Sequence, residues 1–497
     1  MSINKAMNIS LTGLNANQAA LNVVSHNIAN MNTEGYVKQR VNFAEVRTPA
    51  ANYTTPSGQI ASLSGVQIAS LTSCENDYLN NYYRKQNADY EGLLEDANTA
   101  GQLAGIIDEM SGSGLMNTLS DFFSAASSMS NNPTDYSLRV NFAEKTKAVA
   151  NKFNSTYKNV YDLKTSKVGD GTSQSVSDSE LGQFVSSLND CLDQLANVNK
   201  QITVSGDNSS LKSTQGQILT EISSYGNFTI SFNASGAANV KLGDTALVLG
   251  GEKVASLHVN DDASISAIDS DNHVKDVTSD IKGGKIGGLL SGISGVNEVL
   301  SNLDELANSF ATLINNIQTY SDGTVDACYY DRANGTLAKV SESTEDLNMF
   351  VASDGSGNIT ASNMKINDIL YSNPDKIAAA RLDTSEAGWE LSVGNGDNAI
   401  EFVNSQNQKI TSKNLKINDY LISMSVRVGA DASSKAADAE AKGAVVDDIK
   451  NQILAESGVN LDEELANMIM YQQAYNASAR VFACCVQVYD TLISLGT

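Results

Sequence analysis

The sequence predicts a mainly α-helical protein with β-rich insertions. Terminal coiled-coil α-helices are expected to flank an elongated helical-bundle domain and outward-projecting β or α+β domains. Two observations support this prediction: apolar residues recur every seven positions at both ends of the chain, and two interior stretches show short alternating runs broken by Gly, Asn and Asp. Only four prolines occur in 497 residues, which suits long uninterrupted helices.

Apolar residues in heptad spacing define the N-terminal helix. Four of them share one stripe: Met7, Leu14, Leu21 and Ile28. Ile3, Val24 and Met31 lie on a neighbouring stripe. An Asn-rich segment then leads to Gly35, a typical helix stop. Residues 37–71 are expected to form an extended loop and hairpin.

Helical periodicity dominates the next 150 residues. The spacing of apolar residues predicts helices over 74–110, 115–163, 179–202 and 211–224, with a turn near Asn131-Asn-Pro-Thr134. Short alternating runs over 228–277 predict a small β-rich insertion. A helix over 289–320 follows. A mixed region then continues to about residue 429, and helix is expected to resume near Lys435.

The mixed region contains a near-repeat. Residues 359–370 recur with several substitutions as residues 410–421. Two copies are too few for a solenoid, which needs about three or more. We therefore interpret the pair as a local duplication, with coincidence as the alternative.

The C-terminal helix shows the strongest heptad pattern in the chain. Its two adjacent stripes contain Leu461, Met468, Tyr475, Phe482 and Tyr489, and Leu465, Gln472, Ala479, Val486 and Ile493. Asn460 is expected to cap this helix, with Glu463 completing a capping box. Such a stripe alone is equally typical of a core helix. The stripe at the other end of the chain favours terminal helices that come together, parallel or antiparallel.

We accordingly predict an assembly interface on the two terminal helices. Its residues are Met7, Leu14, Leu21, Ile28, Leu461, Leu465, Met468, Tyr475, Ala479, Phe482, Val486, Tyr489 and Ile493.

Charge and hydropathy exclude several classes of function. With 57 acidic and 33 basic residues, the net charge of −24 would repel nucleic acid and anionic membranes. We find neither an apolar run of membrane-spanning length nor a cleavable secretory signal, so no membrane insertion is expected. The protein is then either cytosolic or exported without a cleaved signal.

The residues of common catalytic and metal sites do not form recognisable patterns. The five cysteines include no CxxC pair, and none of the three histidines has a neighbour at metal-ligand spacing. HExxH, GxSxG and Walker motifs are also lacking. We therefore expect no catalytic residues, no cofactor and no metal ion.

Both ends resemble the axial rod and hook proteins of the bacterial flagellum. At the N-terminus the resemblance rests on residues 11–21, 24–30 and 33–36, and at the C-terminus on residues 458–464, 471–475 and 479–481. Interior segments are similar to the hook-filament junction family, the first of the hook-associated proteins. These segments are residues 121–123, 131–135, Arg139, 153–155 and 283–290.

The resemblance implies a structural subunit of the flagellum, not an enzyme, that is exported by the type III apparatus and forms the ring between hook and filament. Implied partners are further copies of the chain, the hook protein, the next hook-associated protein and an export chaperone that binds the C-terminal helix. Another axial hook or rod protein is the first alternative. An extracellular scaffold with an enzymatic outer insertion is the second.

The sequence also predicts four domains. The inner coiled-coil domain with its adjoining loop would comprise residues 1–72 and 455–497. The helical bundle would comprise 73–227, 281–320 and 430–454. The β-rich insertion would span 228–280, and an outer variable insertion would span 321–429.

Overall fold

A computed structural model describes residues 3–33, 35–48, 62–112, 114–205, 209–409 and 414–495. Its helices are α1 (Ile3–Ala29), α2 (Asp77–Gly112), α3 (Leu115–Asn131), α4 (Tyr136–Val168), α5 (Ser173–Asp178), α6 (Glu180–Ser205), α7 (Ser209–Tyr225), α8 (Gly284–Gln318), α9 (Asp368–Ser372), α10 (Asp397–Asn404), α11 (Ile417–Ser457) and α12 (Leu461–Leu495). The predicted class, mainly α-helical with long terminal helices and small β-sheets, is confirmed.

The strands are β1 (Gln39–Thr48), β2 (Ser62–Ser73), β3 (Thr229–Phe232), β4 (Ala238–Leu242), β5 (Thr245–Leu249), β6 (Glu252–Lys253), β7 (Ala255–Val259), β8 (Ile265–Asp269), β9 (Val274–Asp276), β10 (Val325–Asp331), β11 (Thr336–Lys339), β12 (Phe350–Ala352), β13 (Met364–Ile366) and β14 (Ala378–Asp383). They pair antiparallel in small sheets ordered β1-β2, β3-β4-β5-β6, β7-β8-β9, β11-β10-β14 and β12-β13. Part of the predicted loop, residues 49–61, lies outside the described residues.

Helix α11 begins well before the predicted position near Lys435. Its first turns bury Ile417, Tyr420, Leu421 and Met424, which follow the i, i+3, i+4, i+7 spacing of one helix face. Ile417, Tyr420 and Leu421 belong to the second copy of the near-repeat, whose first four residues, 410–413, lie outside the described part of the chain. In the first copy Leu370, the equivalent of Leu421, is also buried, within the short helix α9.

Aromatic rings form the centre of a core that spans most of the chain. Phe122 in α3 lies 5.0 Å from Phe142 in α4 and 5.6 Å from Phe310 in α8, as measured between ring centroids. Phe350 in β12 lies 5.7 Å from Phe310, and Phe402 in α10 lies 5.3 Å from Phe142. Since β12 and α10 belong to residues 321–429, that segment shares its core with the helical bundle. The four-domain division remains a prediction.

The buried side chain of Arg139 joins the same two parts of the chain. Its Nε donates to the Pro133 carbonyl, and its Nη1 donates to the carbonyls of Ile377 at 2.6 Å and Asp375 at 3.1 Å. Burial lowers the pKa of Arg139 to about 10, so the guanidinium remains charged at neutral pH. Because charged donors make strong hydrogen bonds to carbonyls, the start of α4 is fixed to the segment before β14.

Asparagine side chains attach strands to helices at three interior places. Asn199 in α6 donates its Nδ2 to the Ala238 carbonyl at 2.8 Å, and its Oδ1 accepts from the Ala238 N–H at 3.0 Å. Asn189 pairs with Leu257 in the same way. A carboxamide has the donor and acceptor of a peptide group, so each asparagine pairs with its strand residue as a residue of a neighbouring strand would.

Asn315 in α8 pairs likewise with Phe350. Among the described helices, none is long and apolar enough to cross a bilayer.

Candidate assembly interface

The terminal helices α1 and α12 lie side by side and antiparallel. Asn27, near the end of α1, contacts Glu464 near the start of α12. Gly13, in the middle of α1, lies against Ser478, and a Cβ at Gly13 would be 3.7 Å from the Ser478 Cβ. Residue numbers therefore rise along one helix as they fall along the other. The ends of the chain do come together, and the antiparallel arrangement is the one observed.

One face of α12 points toward α1. The contact residues and the 3–4 spacing of a coiled coil identify this seam. It comprises Glu464, Met468, Tyr471, Tyr475, Ser478, Phe482 and Cys485, of which Glu464 is buried and the others are half-buried. On α1 the buried residues are Ser10, Ala16, Ala20, Val24 and Asn27. Small side chains on α1 let the two backbones approach closely around Gly13.

The predicted interface residues fall into three groups. Met468, Tyr475 and Phe482 lie on the seam. Half-buried residues that flank the buried faces are Met7, Leu14, Leu21, Ile28, Ala479 and Val486. Exposed residues are Leu461, Leu465, Tyr489 and Ile493. Their contact with another subunit remains a prediction.

On α1 the stripe that the sequence predicts as the contact face is next to the stripe that lies against α12. The stripe of Met7, Leu14, Leu21 and Ile28 is the more apolar one, and the sequence therefore favoured it as the contact face. In the structure the stripe of Val24, interrupted by Ser10 and Asn17, lies closer to the buried face. Apolar spacing alone does not reveal this seam, because two of its buried residues are polar. Ser10 and Asn27 can be buried because they form hydrogen bonds to backbone or to other side chains.

A buried polar group lies where α1, β1 and α12 meet, and we call it the Asn27 cluster: Asn27, Tyr36, Gln39 and Glu464. The Asn27 Oδ1 accepts from the Tyr36 hydroxyl at 2.8 Å and from the Gln39 N–H at 3.0 Å. Its Nδ2 donates to the Gln39 carbonyl at 2.9 Å and to Glu464 Oε2 at 3.2 Å. Asn27 is 1% exposed and Glu464 2%. All four hydrogen-bonding positions of the Asn27 amide are thus occupied.

The electrostatics of the cluster reflect this burial. Burial, together with the nearby Glu464 carboxylate, raises the pKa of Tyr36 to about 12, so its hydroxyl stays a donor. His26 is exposed and its Nδ1 lies 2.9 Å from the same hydroxyl. This histidine is a surface residue at the cluster's edge.

The start of α12 is capped differently from the prediction. Asn460 Oδ1 accepts from the N–H groups of Asp462 and Glu463, so the predicted cap is present. The Glu463 side chain does not return to Asn460. It binds Lys38 Nζ at 2.9 Å and lies 3.7 Å from Arg40, and the Lys38 hydrogen bond and charge lower its pKa. The charge-assisted contact with Lys38 is stronger than the backbone hydrogen bond that a capping box would give this carboxylate.

The hairpin of β1 and β2 packs against the same helix pair. The Val66 N–H donates to Thr12 Oγ1 at 3.3 Å, and Gly65 has a φ of +116° with Thr12 where its Cβ would be. The ring of Phe43 lies 6.2 Å from that of Tyr471, edge to face. The hairpin therefore contacts both terminal helices and braces the pair near the bundle.

The part of α12 that does not contact α1 exposes several large apolar side chains, and we call this part the outer face. Leu465 is 43% exposed and Ile469 is 60% exposed. Met470, Val481, Val488, Leu492 and Ile493 are exposed as well. In the observed register, Ile3 lies opposite Val488, so Tyr489 to Leu495 extend beyond the described start of α1. Several large exposed apolar side chains on one helix are typical of an interaction surface.

Within the described residues, no group of three or more His, Cys, Asp or Glu side chains could hold a metal ion. None of the cysteines forms a disulfide there: Cys191 and Cys328 are buried, Cys74 and Cys485 are half-buried, and Cys484 is exposed. Cys484 is exposed because it lies on the outer face of α12.

The Asn27 cluster was not predicted from the sequence. Its members are polar, and heptad analysis counts apolar positions only. A signal was nevertheless present, since Asn27, Tyr36 and Glu464 all lie in the terminal segments that resemble flagellar axial proteins. The structure shows that these two motifs, more than 400 residues apart, bind each other directly.

Three family profiles match the chain in order. The helical domain of flagellar hook-associated protein FlgK matches residues 100–324. The flagellar basal body rod protein family matches residues 7–36, and the C-terminal family of flagellar basal body rod FlgEFG proteins matches residues 450–495. The last two matches coincide with α1 and its following turn and with α12.

Full-length relatives are similar over nearly the whole chain. Flagellar hook-associated protein 1 of Bacillus subtilis is 26% identical, with 97% of this chain and 96% of the relative covered. The proteins of the same name from Salmonella typhimurium and Escherichia coli are 23% and 24% identical, with 98% of this chain and 99% of each relative covered.

A solved structure has a similar fold. The flagellar hook junction protein FlgK from Burkholderia pseudomallei superposes with a TM-score of 0.57 at 14% sequence identity. The superposition covers 75% of this chain and 99% of that chain.

Proposed function

Since this chain belongs to the flagellar hook-associated protein 1 family, we propose that it is a structural subunit of the junction between flagellar hook and filament, assembled through α1 and α12. The observation that supports this most is the antiparallel terminal pair. It brings both end motifs together and leaves large apolar side chains of α12 exposed. A subunit that stacks with its neighbours needs such side chains.

Burial of the outer face would supply the driving force for assembly. Covering an exposed Leu or Ile side chain contributes roughly 1.5 to 3 kcal/mol. Leu465, Ile469, Leu492 and Ile493 each present such a side chain. Contact between neighbouring copies along this face would therefore offset a large part of the entropy lost on association.

The proposed partners follow from family membership and from the terminal helices. They are other copies of the chain in a ring, the hook protein on one side and the next hook-associated protein on the other. An export chaperone would cover α12 before assembly, because a bare apolar face is an aggregation hazard. The subunit would leave the cell through the flagellar type III apparatus and function outside it.

The proposed role is structural and non-catalytic. The relatives are named as flagellar hook-associated proteins. The enzymatic outer insertion considered as an alternative would need a site within 321–429. The described part of that segment instead contributes Phe350 and Phe402 to the shared core.

A hook or rod protein is the other alternative. The two end motifs fit it equally well, because they match rod families. The match to a helical domain of hook-associated proteins over residues 100–324 favours the junction.

Electron microscopy of cells that lack the protein tests the proposal. We expect hooks without filaments, restored when the gene is returned. Normal filaments in its absence would contradict the proposal, and loss of the hook itself would indicate a rod or hook protein.

A further inference from the structure

The heptad seam between α1 and α12 does not fix one register by itself. On α12 the seam repeats apolar residues every seven positions: Met468, Tyr475, Phe482 and Tyr489. Sliding α12 by one heptad, about 10 Å, would put Tyr475, Phe482 and Tyr489 in the places of Met468, Tyr475 and Phe482, while Ser478 would take the place of Tyr471. It would also bring the overhanging Tyr489 and Ile493 beside α1. Apolar burial alone would therefore tolerate, or even favour, the slipped arrangement.

We propose that the Asn27 cluster sets the register of the terminal pair. A buried polar residue can specify the register of a coiled coil because any other alignment leaves its hydrogen bonds unmade. Here Asn27 has four hydrogen bonds, three to β1 and the segment before it and one to Glu464 on α12. The Asn27 side chain on α1 thus links β1 and the segment before it to Glu464 on α12.

The consequences of slippage can be read from the contacts. A slip of one heptad would place Tyr471 opposite Asn27, where no carboxylate could accept from Nδ2. The Glu464 carboxylate would leave its buried site for the region beyond the end of α1. A buried amide that loses its partner is strongly disfavoured, whereas the stripe of Met468, Tyr475 and Phe482 would stay apolar.

The register matters because it determines the length of the overhang. In the observed register, α12 extends past the described start of α1 by about two turns, from Tyr489 to Leu495. In the slipped register, Ile3 would lie opposite the end of α12 and the overhang would be covered. The cluster therefore holds an apolar segment uncovered and available for contact. This inference concerns the free chain, so its test does not depend on the proposed function.

Engineered disulfides can report the register. In a background with the native cysteines replaced by alanine, Gly13→Cys with Ser478→Cys reports the observed register. Their Cβ separation of 3.7 Å suits a disulfide. A second protein, with Gly13→Cys and native Cys485 retained, reports the slip of one heptad. Each protein is oxidised when dilute, and the intramolecular disulfide is quantified by mass spectrometry.

With the cluster intact we expect disulfide formation at 13–478 and only background formation at 13–485. Asn27→Leu, and separately Glu464→Leu, should raise the 13–485 to 13–478 ratio by about tenfold or more. Glu464→Gln should leave the ratio near its original value, because the glutamine carbonyl can still accept from Asn27. Asn30→Leu is a matched control, since Asn30, just past the end of α1, donates its amide to the His26 carbonyl and not to α12.

Two outcomes would overturn the inference. An unchanged ratio in Asn27→Leu and Glu464→Leu would show that the connections around Ser457 and Lys38, which are joined by a backbone hydrogen bond, fix the register without the cluster. Loss of both disulfides together would show that the cluster stabilises the pair without selecting a register.

Discussion

Asn199 pairs with Ala238 as one strand residue pairs with another, through a donated and an accepted hydrogen bond of 2.8 and 3.0 Å. Asn189, Asn315 and Asn27 make the same two-bond contact with Leu257, Phe350 and Gln39. Four asparagines on three helices, α1, α6 and α8, therefore hold strands through their carboxamides. The abundant asparagine of this chain is partly structural and is not confined to polar loops.

Replacing Asn199 by Leu should destabilise the protein by roughly 1 to 3 kcal/mol, because the Ala238 amide and carbonyl would lose their buried partners. Unfolding in denaturant, followed by circular dichroism, measures the change. Asn131→Ala is the control: its amide is exposed and bonds to Ser127 of its own helix, so a change within about 0.5 kcal/mol is expected. Equal effects of the two substitutions would argue against the strand-holding role.

Helices and strands could largely be predicted from the sequence, whereas their attachments could not. Periodicity depends on local spacing, and it located the helices because each buries one face. The partners of Asn199 and Arg139 lie 39 and more than 230 residues away, and no local pattern reports such contacts. At the interface the same limit applied: apolar heptads were visible, but the polar contact between Asn27 and Glu464 was not.

The shared aromatic core predicts coupling between α4 and the segment 321–429. Trp389 is the one tryptophan of the sequence and lies in that segment, so its fluorescence reports local unfolding there. Phe142→Ala in α4 should lower the unfolding free energy by about 3 to 5 kcal/mol and shift the Trp389 transition with it. Leu391→Ala, at a side chain that is 74% exposed, should shift it little.

If Phe142→Ala leaves the unfolding transition of Trp389 fluorescence unchanged, residues 321–429 unfold as an independent domain. Their removal as a unit should then be harmless. The contacts of Phe402 and Phe350 predict instead that removal exposes the core of the bundle.

The Glu463 ion pair predicts a pH dependence at the start of α12. Its pKa lies below the ordinary value of 4.5 because of the Lys38 hydrogen bond and charge. A carboxyl with a depressed pKa stabilises the folded state above the ordinary value, and the contribution is lost as the pH falls through the depressed pKa. The pair is half-exposed on the Glu463 side, so the effect is at most about 1 kcal/mol.

Thermal unfolding of Glu463→Gln measures this contribution. We expect a lower melting temperature than that of the unmodified protein at neutral pH and equal values at strongly acidic pH. Asp462→Asn, which alters the neighbouring first-turn carboxylate, should not reproduce the difference attributable to Lys38. A gap between Glu463→Gln and the unmodified protein that persists in acid would rule out the ion pair as its cause.

A charge at the predicted interface residue Ala479, as in Ala479→Lys, would be a less direct test of assembly than a charge on the outer face. Ala479 is half-buried beside Ser478, which contacts Gly13. A lysine there would disturb the α1–α12 pair as well as any contact with a neighbouring copy. An exposed position on the outer face separates the two effects.

Incorporation of Leu465→Lys into flagella tests the central claim most directly. Leu465 is exposed in the free chain, so the lysine should leave the melting of the purified subunit unchanged while placing an unpaired charge in the contact between copies. We predict a secreted, folded protein that fails to join the hook, and cells without filaments. Leu391→Lys, exposed but distant from the terminal helices, should assemble normally. Normal filaments built with Leu465→Lys would contradict assembly through the outer face of α12.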